Sequence, residues 1–516
     1  MNVSILWVDD EIDLLSPHIM FLEQRSYKVS TATNGHDALD LVASNDFDIV
    51  FLDENMPGIS GLETLAGIKL AKPNLPVVMV TKSEEESIMD QAVGAKIADY
   101  LIKPVKPNQV LLSVKKHVHK DKLVSEKTTT DYQQAFGQIG ILINSARSFD
   151  DWIAIYRKLT QWSIQLTEST DPSIADLLSM QLTEANNEFG KFIKANYLSW
   201  FEPSNAEKPM MSHNLMRNLV FPTIDTGTNV LLLVIDNFRF DQWLAIQDLI
   251  APYWRVEKEL IYTSILPTAT QYARNALFSG LMPLEIQQKY PHLWVFDEEE
   301  EGKNLFEQEL LKAQIHRLGK GYKLHYEKCS NIRQNSSLSS NLKQVLSNNL
   351  TVLVYNFVDV MSHARTEMQM MRQLASDEAA YLSLTRSWFK HSDLFALIKE
   401  AAEAGVKLMI TTDHGTIRVK NPVKVVGDRA TSTNLRYKLG KNLNYNPKQV
   451  FEVRKPEEAH LPKPNVSSSF IFALNNDFFA YPNNYNHYAN YYRDTFQHGG
   501  VSIEEMLIPF VELKPH

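Results

Sequence analysis

The sequence predicts a multidomain α/β protein, and three observations lead there. At 516 residues the chain is too long for one hydrophobic core. Short β-branched and aliphatic runs alternate with stretches of helical period in residues 1–120 and again in 206–516, the pattern of sheets covered by helices. Between them, residues 121–205 carry helical periodicity alone. A formal net charge of -9 provides no field to attract duplex DNA, and no helix-turn-helix pattern or basic face marks a DNA-binding domain. The single Cys329 excludes an internal disulfide and a thiolate-rich zinc site, leaving imidazole and carboxylate as metal ligands. A reducing, cytoplasmic setting is expected. The opening MNVSILWVDDE has no apolar export core, and apolar runs such as VLLLVI (Val230 to Ile235) fall far short of the roughly 20 residues that span a bilayer.

In residues 1–120 five runs read as strands: VSILWV, KVSTAT, DIVFLD, PVVMVT and DYLIKP. Four intervening helices and a trailing one, from Asn108 to about His119, complete a doubly wound (βα)5 unit. Ligands of such sheets gather at the carboxyl ends of the strands. The polar residues there are Asp9, Asp10, Asp53, Thr81 and Lys103. Three carboxylates, a hydroxyl and an ammonium suit a hard divalent cation beside a transferred phosphoryl group. One aspartate capping a strand would be ordinary; five such residues at successive strand ends are not. With VDDE, DENMPGISG, Thr81 and Lys103-Pro104 in place, the unit resembles the flavodoxin-like receiver domain of two-component response regulators. The resemblance implies that Asp53 accepts a phosphoryl group from a cognate histidine kinase, and that Asp9 and Asp10 hold Mg2+. Thr81 and Lys103 would contact the phosphoryl group, and Tyr100 would be the aromatic switch. Glu54, where receivers often have an apolar residue, is a departure that removes no chemistry.

Apolar residues in 121–205 recur in steps of three and four: Phe136, Ile139 and Ile143; Trp152, Ile155, Leu159, Trp162 and Leu166; Ile174, Leu178, Leu182, Phe189 and Ile193. These define amphipathic helices. Ser148 to Asp151 reads as a capping box, and Asp171-Pro172 as an N-cap before proline. With no convergent polar cluster, this bundle is a linker whose role is mechanical.

Residues 206–516 return to strand and helix: VLLLVID, ELIYTSIL, a helix from Thr270, TVLVYNFVD, VKLMITTDHG and a tail ending HGGVSIEEMLIP. Asp236, Asp359, His363, Asp413, His414 and His498 sit at strand ends or in adjacent loops. Any one alone would be an N-cap or a surface histidine. Together with Thr270, three carboxylates, three imidazoles and one hydroxyl suffice for two Zn2+ ions with open positions. Two divalent ions also balance three aspartates and a threonine alkoxide. Such a pair stabilises attacking and leaving oxygens in phosphoryl displacement, and a threonine hydroxyl needs activation of that kind. Sites with N and O ligands also accept Mn2+.

The order Asp, PT-x-T, D-x-x-x-H, DHG and HGG-x-S-x-E-E-M resembles the PglZ-type branch of the alkaline phosphatase superfamily, whose α/β sandwich fold is therefore expected. By that resemblance Thr270 is the nucleophile. One zinc falls to Asp236, Thr270, Asp413 and His414, the other to Asp359, His363 and His498. Receiver, bundle and PglZ-type domain in one chain resemble a family of response regulators linked to type IX protein secretion in bacteria. Arg274 and Asn275, one turn beyond Thr270, are candidates to donate to non-bridging phosphoryl oxygens. The loop Gly427 to Lys441 offers Arg429, Arg436, Lys438 and Lys441 with Tyr437 to grip further phosphates or stack a base. Without a clamp for a dianionic phosphate the site favours diesters, and the resemblance points to nucleotide-type ones, including short or cyclic oligonucleotides. A receiver that homodimerises on phosphorylation is expected. The competing reading is a non-enzymatic regulator whose metal domain is a structural or partner-docking module.

Overall fold

The computed structural model describes residues 3–81, 97–118, 120–166, 172–205, 207–296, 304–329, 341–356, 358–359, 377–428, 431–482 and 484–516. The chain divides into two compact units, Met1–Thr130 and Asp131–His516.

In the first unit, strands β1 (Ser4–Val8), β2 (Lys28–Ala32), β3 (Ile49–Asp53), β4 (Val77–Thr81) and β5 (Asp99–Ile102) form one sheet in the order β2-β1-β3-β4-β5. All pairings are parallel. This is the flavodoxin-like order, with its switch point between β1 and β3. β3 and β4 are buried throughout, so they are continuous apolar runs rather than alternating ones. Helices α1 (Ser16–Glu23), α2 (Gly35–Ser44), α3 (Gly61–Ala71) and α4 (Pro107–Val118) follow β1, β2, β3 and β5. Ser60 and Glu63 cap α3 reciprocally. The helix expected between β4 and β5 falls in 82–96, outside the described residues.

Helices α5 (Lys120–Ser145), α6 (Phe149–Gln165) and α7 (Pro172–Asn196) make up the linker segment. The Ser148–Asp151 capping box forms; Asp171 lies outside the described residues. Trp152, Leu159, Ile174, Phe189 and Ile193 of these helices share one continuous core with the C-terminal sheet.

The second unit continues with β6 (Val230–Ile235), α8 (Phe240–Ile250), β7 (Trp254–Thr263), α9 (Thr270–Ser279), α10 (Glu307–Arg317), β8 (Leu324–Cys329) and β9 (Leu350–Tyr355). There follow α11 (Glu378–His391), α12 (Asp393–Glu403), β10 (Lys407–Thr411), β11 (Ile417–Arg418), β12 (Asn421–Lys424), β13 (Tyr437–Gly440) and β14 (Val450–Val453). The chain ends with β15 (Ser469–Ala473), β16 (Asp477–Ala480), α13 (Tyr485–Tyr492), β17 (Phe496–Gln497), α14 (Ile503–Met506) and β18 (Leu507–Pro515). The main sheet runs β7-β18-β10-β6-β9-β8. Its β10, β6, β9 and β8 are parallel neighbours, while β18 is antiparallel to both β10 and β7. Because β10, β6 and β9 are adjacent and parallel, the residues that follow them emerge at one edge.

The smaller ribbons β11-β17, β12-β16 and β13-β15-β14 come from residues 417–497. The loop from Gly427 to Lys441 does not present its cations as expected. Arg436 is fully buried, its guanidinium paired with Glu505 and donating to the carbonyls of Val501 and Leu474. Lys438 is also buried, donating to Ser432 O at 2.9 Å, with its ammonium over the Tyr481 ring. Arg436 immediately precedes β13 and Lys438 lies within it, a strand buried along its whole length, and Arg429 lies outside the described residues. Replacing Arg436 with Ala strands the buried Glu505 carboxylate, and a destabilisation of about 3–5 kcal/mol is expected by urea denaturation. A loss below about 1 kcal/mol would place the pair in solvent.

Candidate active site and receiver site

Asp236 follows β6, Asp359 lies beyond β9, and Asp413-His414 follows β10. Parallel pairing of these strands therefore brings together residues more than 170 positions apart in sequence, as 236 and 413 are. Asp236, Asp413 and His414, all buried, have ligand atoms within 4.8 Å of one another. Thr270 opens α9, and its Oγ1 lies 3.1 Å from His414 Nε2 and 3.5 Å from Asp236 Oδ1. His498 Nε2 faces Asp359 Oδ1 at 3.8 Å, and the His414 and His498 rings stack at 4.2 Å. Six of the seven expected ligands thus converge; His363 lies outside the described residues.

Backbone contacts set how the imidazoles face. His414 Nδ1 donates to Gly415 O at 3.0 Å and His498 Nδ1 to Thr268 O at 3.1 Å. In the neutral form each Nε2 turns a lone pair toward carboxylate oxygens: His414 toward Asp413 at 3.6 Å and Asp236 at 3.8 Å, His498 toward Asp359. A metal ion or a proton on Nε2 satisfies acceptors facing one another at these separations, and a carbonyl on the far nitrogen is how metal-bound histidines are oriented. The donor set fits a zinc-type ion on each imidazole.

Arg274 corrects the expectation. It sits four residues after Thr270, on the same face of α9, but its fully buried guanidinium is committed to carboxylates. Nε donates to Asp413 Oδ2 at 3.0 Å, one terminal nitrogen reaches Glu307 at 3.3 Å, and the other pairs with Asp236 Oδ2. It orients the ligands and is not placed to grip a phosphoryl oxygen. Asn275 is buried too, and at five residues on it lies about 140° round the helix from Thr270, off the reacting face. Burial pushes the Asp236 carboxyl up to about 7 against the pull of Arg274, with the negative Asp413 and Asp359 adding to the rise. Despite its own burial, Asp413 is held below the usual range by Arg274 and His414.

The supporting residues were harder to read in advance. Glu307 on α10, 1% exposed, also accepts from Tyr326 and Lys328; nothing in its local sequence marks it. Thr268 donates to Gly500 O and accepts from Gly499 N, so it positions the loop that carries His498. Glu505 receives Gly500 N, and its carbonyl receives Gly415 N, which ties α14 to both histidine loops. A Cβ on Gly415 would fall 2.0 Å from Glu504 O, which explains the glycine of DHG. From α7, Asn186 donates to both Glu504 oxygens at 3.2 and 3.0 Å and accepts Ile503 N at 2.9 Å. The linker segment thereby braces the metal-ligand loops.

In the receiver, Asp9 and Asp53 are buried, Asp10 is exposed, and the three form a second candidate cation cluster. Lys103 Nζ lies 2.7 Å from Asp9 Oδ2 and 3.0 Å from Asp53 Oδ1. Burial raises the Asp53 carboxyl, with Lys103 opposing. Thr81 donates to the buried Glu54 carboxylate, and the Tyr100 hydroxyl contacts Thr81. The glutamate expected to be inert thus holds the hydroxyl that the receiver resemblance assigns to the phosphoryl group.

Fold and sites define a two-component response regulator with an alkaline phosphatase-like domain. Three family models match: the receiver domain of response regulators over residues 5–115, the PorX response regulator linker domain over 122–201, and the BREX system PglZ alkaline phosphatase-like domain over 215–513. The chain belongs to the PglZ alkaline phosphatase-like family, in the arrangement of a PorX-type response regulator. Among curated proteins it is similar to the transcriptional regulatory protein ResD of Bacillus subtilis, 36% identical over 114 residues, 22% of this chain and 47% of that one. It is also similar to the transcriptional regulatory protein ZraR of Klebsiella oxytoca, 32% identical over 139 residues, 27% of this chain and 31% of that one. The chain thus spans about half or less of the length of these relatives. Solved receiver domains from Methanospirillum hungatei and Clostridium thermocellum match at 25% and 28% identity, with TM-scores of 0.23 and 0.22. Each match covers 23% of this chain, and 96% and 98% of theirs respectively. A receiver domain implies a cognate histidine kinase. Among the described residues no helix is long and apolar enough to cross a membrane.

A pH effect follows from Glu504, whose carboxyl is pushed up to about 7 by burial. A carboxyl raised above its unfolded value adds stability that is full below about 4.5 and is lost as pH rises through about 7. Glu504→Gln is therefore expected to flatten the dependence, so that its denaturation midpoint gains on wild type between pH 5.5 and 8.5. Parallel profiles for the two proteins would contradict the assignment.

Proposed function

We propose that this response regulator is a cytoplasmic, phosphorylation-controlled phosphodiesterase with Thr270 as nucleophile. Its substrates are nucleotide-type diesters, including short or cyclic oligonucleotides, and its output bears on type IX secretion. The observation that carries the reading is Thr270 Oγ1 at 3.1 Å from His414 Nε2 and 3.5 Å from Asp236 Oδ1. Asp236, Asp413, His414 and Thr270 would hold one Zn2+; Asp359 and His498, with His363, the other. Bound there, the ions supply Lewis-acid charge compensation and lower the pKa of coordinated hydroxyl groups.

The chain's own residues do the rest. Thr270 Oγ1 loses its proton and attacks phosphorus, and the P–O bond to the leaving alcohol breaks, giving a phosphothreonine still esterified to the other alcohol; the departing oxygen takes up a proton. Water then attacks the same phosphorus, Thr270 regains its hydroxyl, and two displacements give net retention. The first-turn amides of α9 face an anion at Thr270. Arg274, itself held by Glu307, binds Oδ2 of both Asp236 and Asp413 and so orients the two carboxylates. Among the described residues, three cations that could clamp a dianionic monoester are committed: Arg274 to carboxylates, Arg436 to Glu505, and Lys438 to a carbonyl. That favours a monoanionic diester.

In the receiver, Mg2+ fits Asp9, Asp10 and Asp53. Phosphorylation of Asp53 requires Thr81 to leave Glu54, and the resulting shift at Thr81 and Tyr100 promotes homodimerisation.

Thr270→Ala is expected to keep its zinc by elemental analysis and to lose hydrolysis of bis-p-nitrophenyl phosphate by at least about a thousandfold. Wild-type turnover in that variant would remove Thr270 from the chemistry. Light scattering with and without beryllofluoride is expected to show a monomer becoming a dimer; an unchanged mass would refute phosphorylation-driven assembly.

A further inference from the structure

The helix α13 stands between the two histidine motifs and takes no part in the chemistry described so far. Its inner side is explained by packing. Ala489 is buried, Tyr485 donates its hydroxyl to Pro422 O at 2.9 Å, and Tyr492 lies edge-on to Phe478 at 6.5 Å. Tyr485 and Tyr492 pack on a small core containing Ile417 and Val419, the strand that leaves the DHG turn.

The outer side carries a different set of residues. Asn484, His487, Tyr488 and Tyr491 follow a spacing of three, four and seven, one stripe along the helix. Tyr488 is 41% exposed, and Asn484, Asn486, His487, Asn490 and Arg493 are exposed as well. The His487 and Tyr491 rings lie near parallel, 6.2 Å apart at 20°, and Tyr488 and Tyr492 lie 6.3 Å apart at 15°. From Tyr481 to Arg493 the chain has no Asp or Glu, although it carries 61 acidic residues in all. The same stretch has no Leu, Ile, Val, Met or Phe. A protein partner packing by aliphatic burial would find none here. Flat rings, amides and a cation such as Arg493 instead match the faces, edges and phosphates of nucleotides.

The position in the chain ties this stripe to the metal centre. α13 runs into β17, which ends one residue before His498, and β17 pairs with β11, three residues beyond His414. Tyr492 lies six positions before His498, a span of at most about 20 Å, within reach of a few nucleotides of single strand.

We propose that the outer face of α13, centred on Tyr488 and Tyr491, is a base-stacking subsite for single-stranded oligonucleotides. It holds the strand beyond the phosphodiester presented to Thr270. The subsite rests on the reading of that centre as a phosphodiesterase, and it makes the preferred substrate a strand rather than a mononucleotide diester.

The test separates binding from turnover by using full-length Thr270→Ala protein, which is expected to bind without cleaving. Fluorescence anisotropy is measured with a labelled oligodeoxynucleotide of about eight residues, and with an abasic strand of the same length and charge. Adding Tyr488→Ala and Tyr491→Ala is expected to weaken binding of the natural strand at least about tenfold. The Tyr488→Phe, Tyr491→Phe pair keeps it, and the abasic strand binds weakly to all three proteins. With Thr270 restored, the alanine pair lowers the ratio of kcat/KM for the strand to that for bis-p-nitrophenyl phosphate at least about tenfold. Unweakened binding by the alanine pair, or an abasic strand bound as tightly as the natural one, overturns the subsite. Should wild type cleave no diester at all, the catalytic reading fails, and the anisotropy result still decides the subsite by itself.

Discussion

The catalytic unit depends on one buried guanidinium. Arg274 lies at the meeting point of Asp236, Asp413 and Glu307, three carboxylates that could not be buried together without compensation. It occupies Oδ2 of Asp236, leaving Oδ1 facing His414, and it holds the Asp413 Oδ2 that lies 3.6 Å from the same imidazole. On the proposed reading a divalent ion would complete this charge pattern. Arg274 comes from α9, Glu307 from α10, and the aspartates from β6 and β10, so this one contact also fixes helix against sheet beneath Thr270.

A second set of contacts carries the linker into the same centre. α14 is four residues long, too short to hold itself, yet it touches both histidine loops. Ser502 and Arg436 steady Glu505 from within the domain, while Asn186 on α7 holds Ile503 and Glu504. A displacement of α7 would therefore be felt at Gly415 and Gly500 before anywhere else. In the receiver the comparable point is Glu54, whose carboxylate holds Thr81. Both are polar contacts between elements that two conformations could make or break.

Much of this was legible in the residues. The receiver strands and their acidic ends, the capping box at Ser148 and the ligand order from Asp236 to His498 are local signals, carried by runs of a few residues with strong turn and strand chemistry. Arg274 shows the limit. As sequence it is a cation one turn from a nucleophile, and a phosphate contact is the natural reading; the fold buries it against acids. Arg436 and Lys438 misled for the same reason, since a basic loop and a buried strand with two satisfied cations have the same composition. Glu307 gave no signal, because its partner lies 33 positions away on another helix.

The sequence alone determined the order of the segments, the strand-end carboxylates, the three imidazoles and the threonine, since periodicity and residue chemistry are properties of short stretches. Tertiary structure decided which charges face each other. It joined the linker helices to the core of the C-terminal sheet through Trp152, Phe189 and Ile193, turned the imidazoles of His414 and His498 by backbone carbonyls, and assigned Arg274 to the carboxylates. The physical reason is burial: a charge removed from water must find its counter-charge in the fold, and adjacency in sequence does not say where that partner is.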